Sequence, residues 1–226
     1  LSGSTPAPKL AFDGVGLSAG LVDRAIVLGE TFGNRFCSQG TNSDSPPTGV
    51  SNPFAPGTFN GQIVVCERGT QARVAKSFNV RAAGAGGMIL INTTLEGESI
   101  VADSHYLPTV HLGQIDGALL RNWLQSSSNT RGSISGTVSI RSPNLGDVLN
   151  NSSSRGPVAA GVMKPDIAAP GTDILAADLA TGIQPLTGTS MAAPHVAGAL
   201  ALLRALHPNW GVDEIESAVR TSALPG

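Results

Sequence analysis

The stretch Gly188–Gly198, which reads GTSMAAPHVAG, decides how this chain is interpreted. It predicts that Ser190 lies at the junction between a glycine-bearing loop and a helix that begins with small residues. At such a junction the first backbone amides and the positive end of the helix dipole face the serine oxygen. Negative charge that develops on a substrate carbonyl would be stabilised there. The stretch therefore predicts a nucleophilic serine.

Composition limits the class of protein. The chain has 226 residues, of which 41% are hydrophobic, 13% are charged and 4% are aromatic. Its 28 glycines and 15 prolines favour a loop-rich extracellular α/β or mixed protein over a helical bundle. A net charge of −2, without a basic stripe, argues against nucleic-acid binding. No apolar run reaches the roughly 18–20 residues that cross a bilayer.

Alternating strand and helix patterns predict a compact module over about residues 20–140. Buried strands at Gln62–Cys66 and Met88–Asn92 flank a helical pattern at Ala72–Ala83, an order typical of parallel strands joined by a crossover helix. Other strands are expected at residues 24–28, 109–112, 137–140 and 173–177, and other helices at residues 115–124, 190–206 and 212–221.

The two cysteines, Cys37 and Cys66, are far apart in sequence and lack the tight spacing of a metal site. One disulfide is the simplest interpretation, and it implies an oxidising compartment. Two buried free thiols remain the alternative.

The serine stretch departs from the G-x-S-x-G turn of α/β-hydrolases. Ala192 occupies the position of the second glycine, and proline and leucine residues rather than a clear strand precede Ser190. We therefore do not expect an α/β-hydrolase.

Gly188–Gly198 instead resembles the serine motif of the subtilisin-like serine proteases, the subtilases. The likeness continues from Ala201 to Trp210 and is present upstream at Ser153–Pro157 and Lys164–Gly171. It implies an α/β fold, with residues 141–226 as the C-terminal part of a parallel-sheet catalytic domain and residues 1–20 as a connecting segment.

The same resemblance implies the roles of individual residues. Ser190 would be the acylated nucleophile, and Thr189 matches a position that assists the oxyanion hole in the family. No metal ligands are implied.

Residues 21–140 resemble the protease-associated (PA) domain, a smaller mixed α/β module inserted in many large subtilases. Phe59–Gly69, Ala82–Asn92 and Val101–Pro108 carry this likeness. Plant enzymes of this type pair cysteines at matching places, which supports a Cys37–Cys66 disulfide.

The chain departs from the family pattern upstream of the serine. A subtilase triad runs Asp, then His, then Ser along the chain. The sequence contains no Asp-Thr-Gly-like turn, no His-Gly-Thr motif and no Ala-Gly-Asn motif, and Asp13–Gly16 is a poor match to the first. We therefore expect a C-terminal portion that is active only with Asp, His and Asn from upstream sequence.

Local histidines do not replace the missing base. His195 lies five residues after Ser190, about 140° around the helix axis, and is expected to be packed and hydrogen-bonded. His207 is expected to lie at the C-terminal end of the helix, where a histidine interacts favourably with the helix dipole. His105 and His111 belong to the PA-like module. Asp166 and Asp173 could be taken for triad members, but Asp166 lies between Pro165 and Ile167 in a matched structural motif and is expected to have a hydrogen-bonding turn role. Without a base a serine hydroxyl is a weak nucleophile, so the chain alone should be nearly inactive.

The expected function is that of a secreted serine endopeptidase acting on protein or peptide substrates. The alternative is a non-catalytic protein-binding module, in which the PA-like part acts and the protease part is an inactive scaffold. No redox or nucleotide cofactor is indicated. Glu96, Glu98 and Asp103 lack the spacing of a calcium loop, and a calcium requirement is left open. Glycosylation sequons begin at Asn92, Asn150 and Asn151. Peptide specificity, oligomeric state and organism are not predicted.

Overall fold

The computed structural model describes residues 10–39, 52–69, 71–139, 148–150, 153, 164–178 and 182–224. The chain divides into two compact units. We call Leu1–Ser139 with Ala177–Gln184 the sheet unit, and Ile140–Ala176 with Pro185–Gly226 the serine unit.

The sheet unit is built on a five-stranded sheet. Its strands are β1 (Leu21–Leu28), β2 (Ile63–Glu67), β3 (Gly87–Ile91), β4 (Thr109–Leu112) and β5 (Arg131–Ile134). Their order is β4-β3-β2-β1-β5, in which β1 to β4 are parallel and β5 runs antiparallel to β1. Two helices complete the unit, α1 (Arg73–Ala82) and α2 (Gln114–Ser126), and a short 3-10 helix spans Gly29–Phe32. The expected mixed α/β class is confirmed.

Strands β2 and β3 are buried along their whole length, as their apolar sequences predict. Because side chains alternate across a strand, each strand serves two cores. Ile63 and Ile89 pack in a core that includes Leu120 of α2. Val64 and Leu90 pack in the core on the side of α1. The predicted crossover is therefore present, with helices on both faces of a parallel sheet.

Residues 10–20 lie against this sheet. Val15 forms an isolated antiparallel bridge with His111 of β4, with N–O distances of 3.1 and 2.8 Å. A Cβ on Gly16 would lie 2.4 Å from the carbonyl oxygen of Thr109, so this close approach requires glycine. The segment that precedes β1 therefore contacts β4 through its backbone.

One strand expectation is wrong. Residues 137–139 are not in a strand, and residue 140 lies outside the described residues. Thr137 instead donates its amide to the carbonyl of Ser18 at 2.9 Å and its hydroxyl to the carbonyl of Gly16 at 2.8 Å. The strand in this region is β5, which begins six residues earlier, because residues 131–134 pair with β1.

In the C-terminal part of the chain, β6 (Ile174–Asp178) and β7 (Gly182–Leu186) form a two-stranded sheet. Helices α3 (Thr189–Leu206) and α4 (Val212–Ser222) follow. Between them, the His207 ring stacks on Trp210 with ring centroids 3.9 Å apart, and Glu214 accepts a 2.5 Å hydrogen bond from the amide of Gly211 to begin α4. In the part of the chain that the structure describes, no helix is both long and apolar enough to cross a membrane.

Candidate active site

Ser190 is the second residue of α3 and is exposed. Gly188 is the N-cap, and no side chain caps the helix. Its carbonyl accepts hydrogen bonds from Met191 at 3.0 Å and Ala192 at 3.3 Å. The amides of Thr189 and Ser190 precede the first intrahelical hydrogen bonds, so they have no acceptor within the helix. The serine hydroxyl therefore lies at an accessible, positively polarised helix terminus.

A neighbouring loop supports this helix start. Gly188 donates its amide to the carbonyl of Gly171 at 2.8 Å. A Cβ on Gly171 would lie 2.9 Å from the carbonyl oxygen of Gly188 and 3.1 Å from the Cβ of Ala192. The glycine of Ala-Pro-Gly is therefore required because two backbones meet there.

Thr189 is the first residue of α3 and is exposed beside Ser190. The structure brings these two predicted residues together at the helix terminus. Their roles in acylation and in the oxyanion hole stay predictions.

The histidines of the serine unit have other contacts. His195 is exposed rather than packed, which corrects the first half of its expectation, and its Nδ1 lies 2.9 Å from the carbonyl oxygen of Met191 on the preceding turn. The residues of α3 are all exposed or half-buried, so no part of the chain that the structure describes encloses this ring. His207 stacks on Trp210.

The two aspartates considered as triad members are held by neighbours. Asp166 forms ion pairs with Lys164 and with Arg220 of α4, the second at 3.3 Å. The hydrogen bond from Lys164 is the main cause that lowers the pKa of Asp166. Asp173 is hydrogen-bonded to Thr187. The contacts of Asp166 agree with the turn role expected for it, and Asp173 is held by the residue that precedes the N-cap of α3.

Two comparisons decide the family. The sequence profile of the subtilase family (peptidase S8) matches residues 19–226. Subtilisin-like protease SBT1.7 of Arabidopsis thaliana is 40% identical over 82% of this chain, and SBT1.4 of the same plant is 37% identical over 94%. This chain belongs to the subtilase family. It covers 26% of SBT1.7 and 28% of SBT1.4, about a quarter of each relative.

A solved structure also resembles this subtilase chain, the psychrophilic subtilisin-like protease Apa1 from Pseudoalteromonas sp. AS-11. It covers all of this chain and 38% of the other, at 15% identity and a TM-score of 0.33. That score is too low to support a comparison of folds.

The disulfide expected in this subtilase is present in the structure, where Cys37 and Cys66 are bonded. Cys66 lies in β2, and both residues are fully buried. Lys76 of α1 is buried beside them and donates to the carbonyl of Phe36 at 2.7 Å. Burial lowers the pKa of Lys76 to about 7.

The acids considered for calcium binding are engaged in other contacts. Asp103 forms a bidentate ion pair with Arg73, and Glu98 accepts a 2.8 Å hydrogen bond from the amide of Ile115 in α2. Among the described residues, no three His, Cys, Asp or Glu side chains come together as a metal site. Asn92 of the first sequon is buried, whereas Asn151 lies outside the described residues.

Two features of this subtilase site were missed by the sequence analysis. A strand, β7, does precede Thr187 and Gly188, the two residues that lead into α3 and that we call the serine loop, contrary to expectation, and Gln184 and Pro185 lie within this strand. The pairing of Thr187 with Asp173 has no local signal, because the two residues are 14 positions apart. The nearby Ala-Pro-Gly motif was the one available indication that this loop meets the serine loop.

Proposed function

We propose that this chain is the part of a secreted serine endopeptidase that carries the nucleophile. Ser190 would attack the peptide carbonyl and form an acyl-enzyme, with its own amide and Thr189 contributing to the oxyanion hole. The single observation that carries the proposal is an exposed serine at the uncapped N-terminus of α3 in a subtilase. Protein or peptide substrates follow from that chemistry.

The general base, the aspartate that orients it and the oxyanion-hole asparagine come, in this proposal, from sequence outside this chain. The chain spans about a quarter of its curated relatives. Helix α3 supports the view that another segment covers it, because none of its 18 residues is buried and Leu202 and Leu206 are 69% and 73% exposed. An apolar helix without a buried face normally has a packing partner.

The mixed α/β structure of the sheet unit supports its assignment as a PA domain. We propose that residues 21–140 form this module and control substrate access or protein contacts. The disulfide of Cys37 with Cys66 supports secretion, because such bonds persist in oxidising compartments. The proposal requires no redox or nucleotide cofactor.

A fluorophosphonate probe tests the nucleophile. In the complete protein we expect rapid labelling that Ser190→Ala abolishes, while Ser222→Ala, a matched change at an exposed serine of α4, leaves it intact. The chain alone should be labelled at least about 10³-fold more slowly, because a serine without its base is weakly nucleophilic.

Three outcomes would contradict the proposal. Labelling of the complete Ser190→Ala protein at the wild-type rate would remove Ser190 as the nucleophile. Efficient labelling of the isolated chain would show that the base lies within it. An unlabelled but peptide-binding complete protein would favour the non-catalytic alternative.

A further inference from the structure

The start of α3 needs support from outside the helix. Its N-cap is Gly188, which has no side chain to accept the first amides, and Thr189 and Ser190 are exposed. The position of the Ser190 oxygen therefore depends on how residues 187 and 188 are held.

Two residues supply this support through one hydroxyl. The Thr187 Oγ1 accepts a hydrogen bond from the amide of Asp173 at 2.8 Å and donates one to the Asp173 carboxylate at 3.1 Å. Only a hydroxyl side chain can accept and donate in this way at one atom. The pair lies directly beside the backbone hydrogen bond from Gly188 to Gly171.

The backbone of Asp173 indicates that this pairing is specific. Its φ is 51°, in the left-handed region that a residue with a side chain rarely adopts. Aspartate tolerates this conformation better than most residues because its short side chain forms local hydrogen bonds. The carboxylate used here bonds Thr187 instead, which connects the unusual backbone to the serine loop.

We infer that Thr187 and Asp173 are positioning residues that hold Ser190 where it can react. This inference rests on the proposed function, since it assigns a role in the reaction of Ser190. The pair fixes the residue before the N-cap, and Gly188 then transmits that position to the first turn of α3. A displacement of about 1 Å at a reacting group can cost about 10²-fold in rate.

The test uses the complete protein and a peptide substrate. Thr187→Val removes both hydrogen bonds while keeping the shape, so we expect kcat to fall about 10- to 100-fold with KM within about twofold. Thr187→Ser restores the hydroxyl and should recover kcat to within about threefold. Thr172→Val is the matched control. Thr172 is next to Asp173 in the chain, and the substitution removes the 3.1 Å hydrogen bond that its hydroxyl accepts from Asn150 while leaving the hydroxyl of Thr187 in place.

Hydrogen exchange gives a readout that does not require activity. The amide of Gly188 should exchange at least about tenfold faster in Thr187→Val than in the wild type or in Thr187→Ser. This measurement separates the two proposals. If Ser190→Ala leaves activity intact, the proposed nucleophile fails, while the exchange data still report whether the pair holds the loop.

The inference is overturned if Thr187→Val keeps the wild-type kcat and Gly188 exchange, or if Thr187→Ser loses as much as Thr187→Val. Should Thr187→Val fail to fold, Asp173→Gly is the second variant. It permits the left-handed backbone and keeps the amide but removes the carboxylate. We then expect a smaller fall in kcat, about three- to tenfold, and an unchanged kcat would again overturn the inference.

Discussion

At the scale of single residues, His111 and Asn92 explain how a polar pair is buried in the sheet unit. The Asn92 amide donates to the carbonyls of Gly97 and Ser99 at 2.9 and 2.8 Å, so its Oδ1 accepts from His111 Nε2 at 2.7 Å. His111 Nδ1 is then free to accept the amide of Val101 at 3.1 Å. Nδ1 also lies 3.0 Å from the carbonyl oxygen of Val101, a contact that is a hydrogen bond only when Nδ1 carries a proton. The asparagine of the first sequon, Asn92, is therefore buried and hydrogen-bonded within the protein.

Acid should destabilise the chain through His111. Burial is the main cause that lowers the pKa of His111 to about 4; Arg68 and Arg73 act in the same direction, and the hydrogen bond with Val101 opposes them. In the unfolded chain that pKa is about 6.5, so the unfolded state binds a proton that the folded state does not between these values. We expect the free energy of unfolding to fall as pH falls from about 6.5 to 4, by about 3 kcal/mol for this residue.

Urea denaturation checks this pH dependence, followed by the fluorescence of Trp123 in a Trp210→Phe background. His111→Gln should make the fall shallower but not flat, because burial also lowers the pKa of His105 to about 4. Equal pH slopes for His111→Gln and the parent would show that His111 titrates normally.

At the scale of elements, α2 lies unusually close to β3. A Cβ on Gly117 of α2 would be 2.7 Å from the Cβ of Ile91, which is buried in the strand. The strand cannot move away easily because it pairs on both sides, with β2 and β4. The glycine therefore sets the distance at which this helix covers the sheet.

Gly117→Ala should lower the free energy of unfolding by about 1–2 kcal/mol. Overpacking of this kind costs about 1–3 kcal/mol, and the better helix propensity of alanine returns up to about 1 kcal/mol. Asn122→Ala, on the exposed part of the same helix, is the control and should be neutral or slightly stabilising. Urea denaturation compares the two, and a Gly117→Ala variant as stable as the parent would mean that α2 shifts freely.

At the scale of the whole molecule, the disulfide joins Cys37, in the connection from β1 to β2, to Cys66 in β2, with a sequence separation of 29 residues. Half of the bridge, Cys66, lies in the central part of the sheet. In the chain-entropy view, such a bond stabilises mainly by limiting the unfolded chain. Its effect should therefore be felt across the sheet unit rather than at one loop.

Replacing both Cys37 and Cys66 with serine should lower the stability of the chain by about 3–4 kcal/mol, the entropy expected for a loop of this length. Calorimetry of the double variant measures the change, and reduction of the wild type should produce a similar loss. A melting temperature within about 2 °C of the wild type would show that the bond contributes little to folding.

The apolar runs of β2 and β3, the helix between them and the helix that begins beside Ser190 were all predictable from the sequence, because they depend on local periodicity and composition. The motif around Ser190 likewise indicated the family without reference to coordinates. These features depend on residues that are close together in the chain.

Other features were decided only by tertiary structure. The last strand of the sheet formed at Arg131–Ile134 rather than at residues 137–140, because pairing with β1 outweighed local strand preference. The hydroxyl of Thr187 is hydrogen-bonded to Asp173, and His195 is exposed. Neither feature can be read from spacing in the sequence. Local pattern indicated most of the buried strands and helices, whereas the strands that depend on a distant partner and the partners of each hydrogen bond were decided by how distant segments come together.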